Sequence, residues 1–300
     1  MNNNSKHIFS KKYIFISVAL AALIFLVIAC DFRLAIRYYE VEAEDISSPI
    51  RIALVTDLHS CYYGKDQQNL VRAIEEQDPD LLLLGGDIFD DNIDDTNTEK
   101  FLCEIEGKYP TYYVTGNHEY WSETSAFTKK MELLEKYGVT ILNNEFKIIE
   151  INGQYINLCG VDDPDVYMFN KGIDKKSDAY LEGKSETDRN FIINLSTVSK
   201  AQDSGYFTVL LSHRPEYFEE YVARGFGLVL CGHAHGGQWR IPAILNGLYA
   251  PDQGIFPKYA GGRYTKNDTT MIVSRGLARE TTFPIPRIFN RPELVIVDIV

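Results

Sequence analysis

From residue 37 onward the chain alternates short runs of leucine and β-branched residues with stretches whose apolar positions recur at helical spacing. Residues 37–46 alternate loosely and predict a first strand, and the Ile, Leu and Val of 50–56 predict a second. Leu70, Val71 and Ile74 then lie three to four apart, and Pro79 closes that helix. The unit repeats. A strand at 81–84 precedes a helix marked by Phe101, Leu102 and Ile105. A strand at 112–114 precedes a helix with Phe127, Met131 and Leu134 on one face, ended by Gly138. Three such units predict βαβ connections and a largely parallel sheet. Past Val139 the pattern changes, because 146–151 and 155–161 flank Asn152-Gly153, a strong two-residue hairpin signal. Residues 162–190 are polar and irregular and read as a long loop. Phe191, Ile192, Leu195 and Val198 predict another helix. Strands at 207–211 and 228–230 enclose a helix opened by Pro215 and closed by Gly225. Strands at 271–274 and 294–299 finish the chain. The predicted fold class is α/β (α+β), two packed mixed β-sheets flanked by helices, in one domain over residues 37–300.

Residues 1–36 form a separate segment. Lys6, Lys11 and Lys12 precede an uncharged apolar run over 13–30, and a bilayer-crossing helix takes about 17–25 residues. Three readings stand. The run is an uncleaved membrane anchor; or Val27-Ile28-Ala29-Cys30 is a lipoprotein signal acylated on Cys30; or cleavage follows Ala29. The h-region of a cleaved signal is usually shorter, so the expectation is a single-pass protein of the cell membrane, held through 13–30 with its domain extracytoplasmic. Arg33 and Arg37 beyond the run weaken the positive-inside argument for that orientation.

Composition narrows the function. A chain of 300 residues, 45% hydrophobic and 24% charged, suits one large globular domain. Its net charge of −12 argues against a nucleic-acid backbone as the main partner, which needs a positive footprint. Five cysteines, odd in number and without a CxxC pair, are no disulfide framework. Cys159 and Cys231 sit in or at the end of apolar runs and read as buried thiols.

Five of the six histidines follow closely after a predicted strand, where α/β proteins bind ligands. His59 follows the strand at 50–56, His118 the one at 112–114, His213 the one at 207–211, and His233 and His235 the one at 228–230. Carboxylates and an amide join them in Asp57-Leu58-His59, Gly86-Asp87 and Gly116-Asn117-His118-Glu119. Asp57, Asp87 and Asn117 are each 30 residues apart, about one βαβ unit, so all three surface along one sheet edge. Each piece alone is weak: Asp-x-His occurs by chance, and Gly-Asp is ordinarily a turn. In order, each after a strand, they specify a metal site. Imidazole, carboxylate and amide oxygen without thiolate suit Mn, Fe, Zn or Co. A shared carboxylate can bridge two ions about 3.5–4 Å apart.

These motifs resemble those of the calcineurin-like metallophosphoesterase superfamily, D-x-H, G-D, G-N-H-[E/D], H and G-H-x-H, over about residues 51–238. The resemblance implies a four-layer sandwich and two divalent transition-metal ions. Asp57, His59, Asp87 and His235 would hold the first, and Asp87, Asn117, His213 and His233 the second. It also implies hydrolysis of a phosphomonoester or phosphodiester by a metal-bound hydroxide, with His118 protonating the leaving oxygen. Asp90, at the family's G-D-x-x-D position, would orient His118, or else serve as a turn aspartate in Asp90-Asp91-Asn92. Asp162-Asp163-Pro164, Ser212-His213-Arg214-Pro215-Glu216, His235-Gly236-Gly237-Gln238 and Arg291-Pro292-Glu293 resemble the bacterial branch that has an N-terminal membrane segment. The alternative within that branch is a lipid-linked, UDP-diacylglucosamine-type pyrophosphatase. A module that kept the fold and lost the chemistry would lack ligands, and here none is missing.

Residues 238–259 carry Trp239, Ile241, Ile244, Leu245, Leu248, Tyr249, Ile255, Phe256 and Tyr259, broken by Pro242, Gly247, Pro251, Gly254 and Pro257. These breakers predict a structured loop starting beside the metals. Its side chains either pack onto the sheet, as apolar residues commonly do, or line an apolar wall that favours a lipid-like substrate.

Overall fold

The computed structural model describes residues 3–279 and 286–300, with side chains from residue 13. Helix α1 (Asn3–Ala29) leads into β1 (Ala35–Val41) and β2 (Ile50–Val55). The strand–helix units follow as α2 (Gln68–Glu75), β3 (Leu81–Gly85), α3 (Thr96–Ile105), β4 (Thr111–Val114), the single turn α4 (Asn117–Tyr120), α5 (Thr124–Lys136) and β5 (Thr140–Ile141). The second half has the hairpin β6 (Glu145–Ile151) and β7 (Gln154–Gly160), then α6 (Val166–Asn170), α7 (Asp178–Glu182) and α8 (Lys184–Val198). Next come β8 (Thr208–Leu211), α9 (Phe218–Ala223), β9 (Leu228–Cys231), the short pair β10 (Tyr249–Ala250) and β11 (Gly254–Ile255), β12 (Gly262–Lys266), β13 (Thr269–Val273) and β14 (Glu293–Ile299).

Two six-stranded mixed sheets result, in the orders β1-β14-β2-β3-β4-β5 and β12-β13-β9-β8-β7-β6. Side chains alternate across each strand, so one set packs between the sheets and the other outward. Ile52, Leu54, Leu83, Val297, Leu158, Leu211 and Leu230 fill the space between the sheets. On the outer face of the first sheet Ala53, Val55, Leu82 and Leu84 receive α2 and α3 through Leu70, Ile74, Phe101 and Leu102. On the second, Leu210, Val229 and Cys231 receive α8 and α9 through Phe191, Leu195 and Phe218. The layers are helix, sheet, sheet, helix, as expected. Both faces of the central strands are buried, which is why they read as unbroken apolar runs. The Asn152-Gly153 turn closes the antiparallel β6–β7 pair with positive φ at both residues, 53° and 76°.

Two expectations change. No helix among the described residues is long and apolar enough to cross a membrane. Cys30 lies in a turn past the end of α1, so the uncharged part of the helix is residues 13–29. At 1.5 Å per residue that is about 26 Å, at the lower limit of a spanning helix and short of a ~30 Å hydrocarbon core unless the bilayer thins. The anchor over 13–30, and the single-pass, extracytoplasmic placement built on it, are not upheld. The stretch 162–190 is also not one long loop, for it contains α6, α7 and the first turns of α8. Its polarity reflects position: no residue of α7 is buried, and α8 buries only Thr187 before Phe191.

Candidate metal centre

β2, β3 and β4 run parallel in the first sheet, as do β7, β8 and β9 in the second. Their C-terminal ends meet along one edge. Asp57 and His59 follow β2, and Asp87 follows β3. Asn117 and His118 open α4 after β4, His213 follows β8, and His233 and His235 follow β9. The ligating atoms of Asp57, His59, Asp87 and His235 lie within 4.8 Å of one another, and those of Asp87, His213 and His233 form a second such group. Asp87 belongs to both, and Asn117 lines the same cavity of about 360 Å³ with Asp87, His118, His233 and His235.

Backbone conformation at these positions is unusual. Asp57, His59, Asp87, His233 and His235 all have positive φ, between 45° and 65°. That region costs about 1 kcal/mol or more for a residue with a Cβ and persists where surrounding structure over-determines it. The turns are held by their own hydrogen bonds. Asp57 Oδ1 accepts the His233 N–H at 2.9 Å, and Asp87 Oδ1 accepts that of His118 at 2.9 Å. Buried Glu119 ties two loops together by accepting the N–H groups of Gly116 at 2.7 Å, Asp87 at 3.1 Å and Phe89 at 3.0 Å. Gly116 has no alternative, since a Cβ there would lie 2.2 Å from Asp87 Oδ1. Gly276 (φ 71°) is similarly confined, its Cβ position falling 2.6 Å from the Cβ of Asp57.

The residues fit a metal. Asp57 Oδ2, His59 Nε2, Asn117 Oδ1 and His213 Nε2 are buried without a hydrogen-bond partner, an expensive arrangement unless something else binds them. Their opposite ring nitrogens are committed. His213 Nδ1 donates to the Gly85 carbonyl at 2.8 Å, and His59 Nδ1 lies 2.9 Å from Asp90 Oδ2. His233 Nε2 lies 3.1 Å from Asp252 Oδ2, leaving Nδ1 for a metal. Such partners fix the tautomer of a ligating imidazole.

Charge is mixed: burial opposes protonation of His213, but Asp87 Oδ2, 3.1 Å from its Nε2, and Asp57 raise its pKa to about 10. Burial opposes ionisation of Asp87, yet the adjacent His213 and His118 hold its carboxyl well below the usual range. Burial, with His59 and Arg287 nearby, keeps His235 neutral and its lone pair free. Burial opposes charge on His118, but Asp87, Asp91 and Asp90 outweigh it and raise its pKa.

Asp90 sits between His59 and His118, with Oδ2 2.9 Å from His59 Nδ1 and 3.4 Å from His118 Nδ1. Its Oδ1 accepts the N–H groups of Asn92 at 2.8 Å and Ile93 at 3.1 Å, so it is also a turn aspartate. His118 Nδ1 is nearer to Asp91 Oδ1, at 2.7 Å.

Sequence reasoning missed Asp91, Lys175, Arg214 and Asp252. Arg214 is buried and grips Asp163 with two nitrogens, Nη2 lying 2.9 Å from Asp163 Oδ1, while Nη1 pairs with Asp252. For Arg214 a signal was present: Ser212-His213-Arg214 and Asp162-Asp163-Pro164 were read as marks of the bacterial branch and given no part in the site. Residues 238–259 are not core at their tip. Trp239, Ile241, Ile244, Ile255 and Phe256 are exposed and Tyr259 is buried, while Gln238, Tyr249 and Pro251 line the cavity.

A family model described as calcineurin-like phosphoesterase matches residues 50–237. An uncharacterized metallophosphoesterase of Helicobacter pylori (strain J99) is 30% identical over 240 residues, 78% of this chain and 55% of that protein. The phosphodiesterase YaeI of Escherichia coli (strain K12) is 24% identical over 261 residues, 86% of this chain and 84% of that protein. The chain spans about half the length of the first curated relatives it matches. Among solved structures, NAD nucleotidase of Haemophilus influenzae superposes with a TM-score of 0.50 at 13% identity, covering 77% of this chain and 46% of that one. That likeness concerns the fold.

Proposed function

The chain belongs to the calcineurin-like phosphoesterase family, and on that footing we propose that it is a metal-dependent hydrolase of phosphoric esters using two metal ions. The observation that carries this reading is the pair of ligand groups sharing Asp87. Asp57, His59, Asp87 and His235 would hold one ion, and Asp87, Asn117, His213 and His233 the other, drawn from Mn, Fe, Zn or Co. Such ions supply Lewis-acid stabilisation of phosphoryl oxygens and lower the pKa of a bound water. The chain's own groups do the rest. Glu119 and the turn hydrogen bonds keep Asp87 and Asn117 in register, and His118 gives a proton to the leaving oxygen. Lys175, Trp121 and Tyr249 wall the cavity in which the ester sits.

A panel of phosphomonoesters, phosphodiesters and pyrophosphates, assayed after reconstitution with each metal, tests the reading. We expect turnover with at least one class and about two ions per chain by elemental analysis. Asp87→Asn should lose both metals and about 10³-fold or more in kcat/KM, since several kcal/mol of charge stabilisation leave together. Full metal content in Asp87→Asn would sink the shared-ligand assignment.

The exposed apolar side chains of residues 239–256 favour, as a second reading, a substrate with an apolar group, the lipid-linked pyrophosphate among them. Ile244→Ser and Phe256→Ser should lower turnover of an acylated ester while leaving a water-soluble ester and the melting temperature unchanged. Equal loss on both esters would remove this reading.

A further inference from the structure

His118 is the imidazole that the two ligand groups around Asp87 leave over, and the carboxylate nearest to it is not the one expected. Asp90 is already engaged, by His59 Nδ1 on Oδ2 at 2.9 Å and by two backbone N–H groups on Oδ1. Its 3.4 Å approach to His118 Nδ1 is what remains. Asp91 Oδ1 lies 2.7 Å from the same nitrogen, and its other oxygen is paired with Lys175 Nζ. The Asp91 side chain is only 5% exposed, so little water competes for it. Lys175 Nζ stands 4.0 Å from the centroid of the Trp121 ring. That ring packs on His118 with centroids 4.6 Å apart, and its Nε1 donates to Asp165 Oδ2 at 2.6 Å.

We propose that the two adjacent aspartates divide the work: Asp91, held by Lys175, is the positioning residue of His118, and Asp90 is that of His59. This rests on the hydrolase reading above. A carboxylate on Nδ1–H fixes the ring's tautomer and orientation and stabilises its protonated form. Nε2–H is then the proton given to the leaving oxygen, which takes the electron pair of the breaking P–O bond. Water supplies the new oxygen on phosphorus and releases a proton to solvent, while the Nδ1 proton stays on the ring. Lys175 comes from the polar stretch between α6 and α7, outside both sheets, so this stretch sets the general acid from a distance in sequence.

The test uses the full chain loaded with zinc. Asp91→Asn should lower kcat on an alkyl phosphoester about 10- to 100-fold, the worth of a charged hydrogen bond, with KM and zinc content kept and a smaller loss on a nitrophenyl ester. Combined with His118→Asn it should cause no further loss beyond His118→Asn alone. Lys175→Ala should show part of the same effect, and Lys175→Arg should restore it. Asp90→Asn should lose zinc first. A downfield proton resonance from His118 Nδ1–H should vanish in Asp91→Asn and in His118→Asn, and persist in Asp90→Asn. Additive losses in the double variant, or loss of that resonance in Asp90→Asn alone, would overturn the proposal. If the wild type turned over nothing, the hydrolase reading would fail, and the resonance would decide the Asp91 contact by itself.

Discussion

At the scale of single residues, the site is built from side chains that each satisfy two demands. A histidine that is to hold a metal must present one nitrogen and anchor the other, and His213 and His59 have the second nitrogen anchored, by Gly85 O and Asp90. His118 has an anchored Nδ1 and a place on the cavity wall. It should therefore behave as an acid, not a ligand. We expect His118→Asn to retain its metals while kcat falls about 10²–10⁴-fold, the usual worth of a general acid. Because protonation matters least when the leaving oxygen is already stable as an anion, the loss should be smaller on nitrophenyl than on alkyl esters. Equal losses across a leaving-group series would count against the role. That these residues would gather was legible because their chemistry is local: each is a metal-binding residue type at a strand end. Asp91 was not. Within Asp90-Asp91-Asn92 it looks like a turn residue, and its partners lie 27 and 84 residues away.

Elements were legible where both faces of a strand are buried or where one turn residue fixes a hairpin, as with β2, β3 and Asn152-Gly153. They were illegible where the signal is shorter than its period. The strands β5, β10 and β11 have two residues each, and α7 has five with none buried. The same short junctions decide the chemistry, since β4 must deliver Asn117 and His118 within three and four residues of its end. Gly116 makes that turn while touching Asp87. The carbon added in Gly116→Ala would fall 2.2 Å from Asp87 Oδ1 and 2.5 Å from the Asp87 backbone nitrogen, so the buried loop as well as the carboxylate must shift. We expect metal content and melting temperature both to drop. Unchanged metal affinity in calorimetric titration would mean that the loop yields elsewhere.

For the whole molecule, the two sheets are joined by the packing between them and by polar bridges at the active edge. Asp162, at the end of β7, is one such bridge. It accepts from Thr115 Oγ1 at 3.1 Å, after β4, and from Asn144 Nδ2 at 2.8 Å. Burial pushes its carboxyl up to about 7, with neighbouring Asp163 adding to the shift. The unfolded chain holds that proton only below its ordinary value of 3.8. Its contribution is then fully present below about pH 4 and is lost as pH rises through 7, because the folded state binds the extra proton. Across that window the slope reaches about 1.4 kcal/mol per pH unit for one group. The net charge of −12 also grows more negative with pH, so self-repulsion tilts stability the same way. Comparison with Asp162→Asn isolates the single group, since Asn keeps the shape and cannot ionise. Urea unfolding of the metal-saturated proteins at pH 5, 6, 7 and 8 should show wild-type stability falling more steeply than that of the variant. Parallel curves would mean that Asp162 is ionised in the folded protein throughout, with the Thr115 and Asn144 hydrogen bonds compensating its burial.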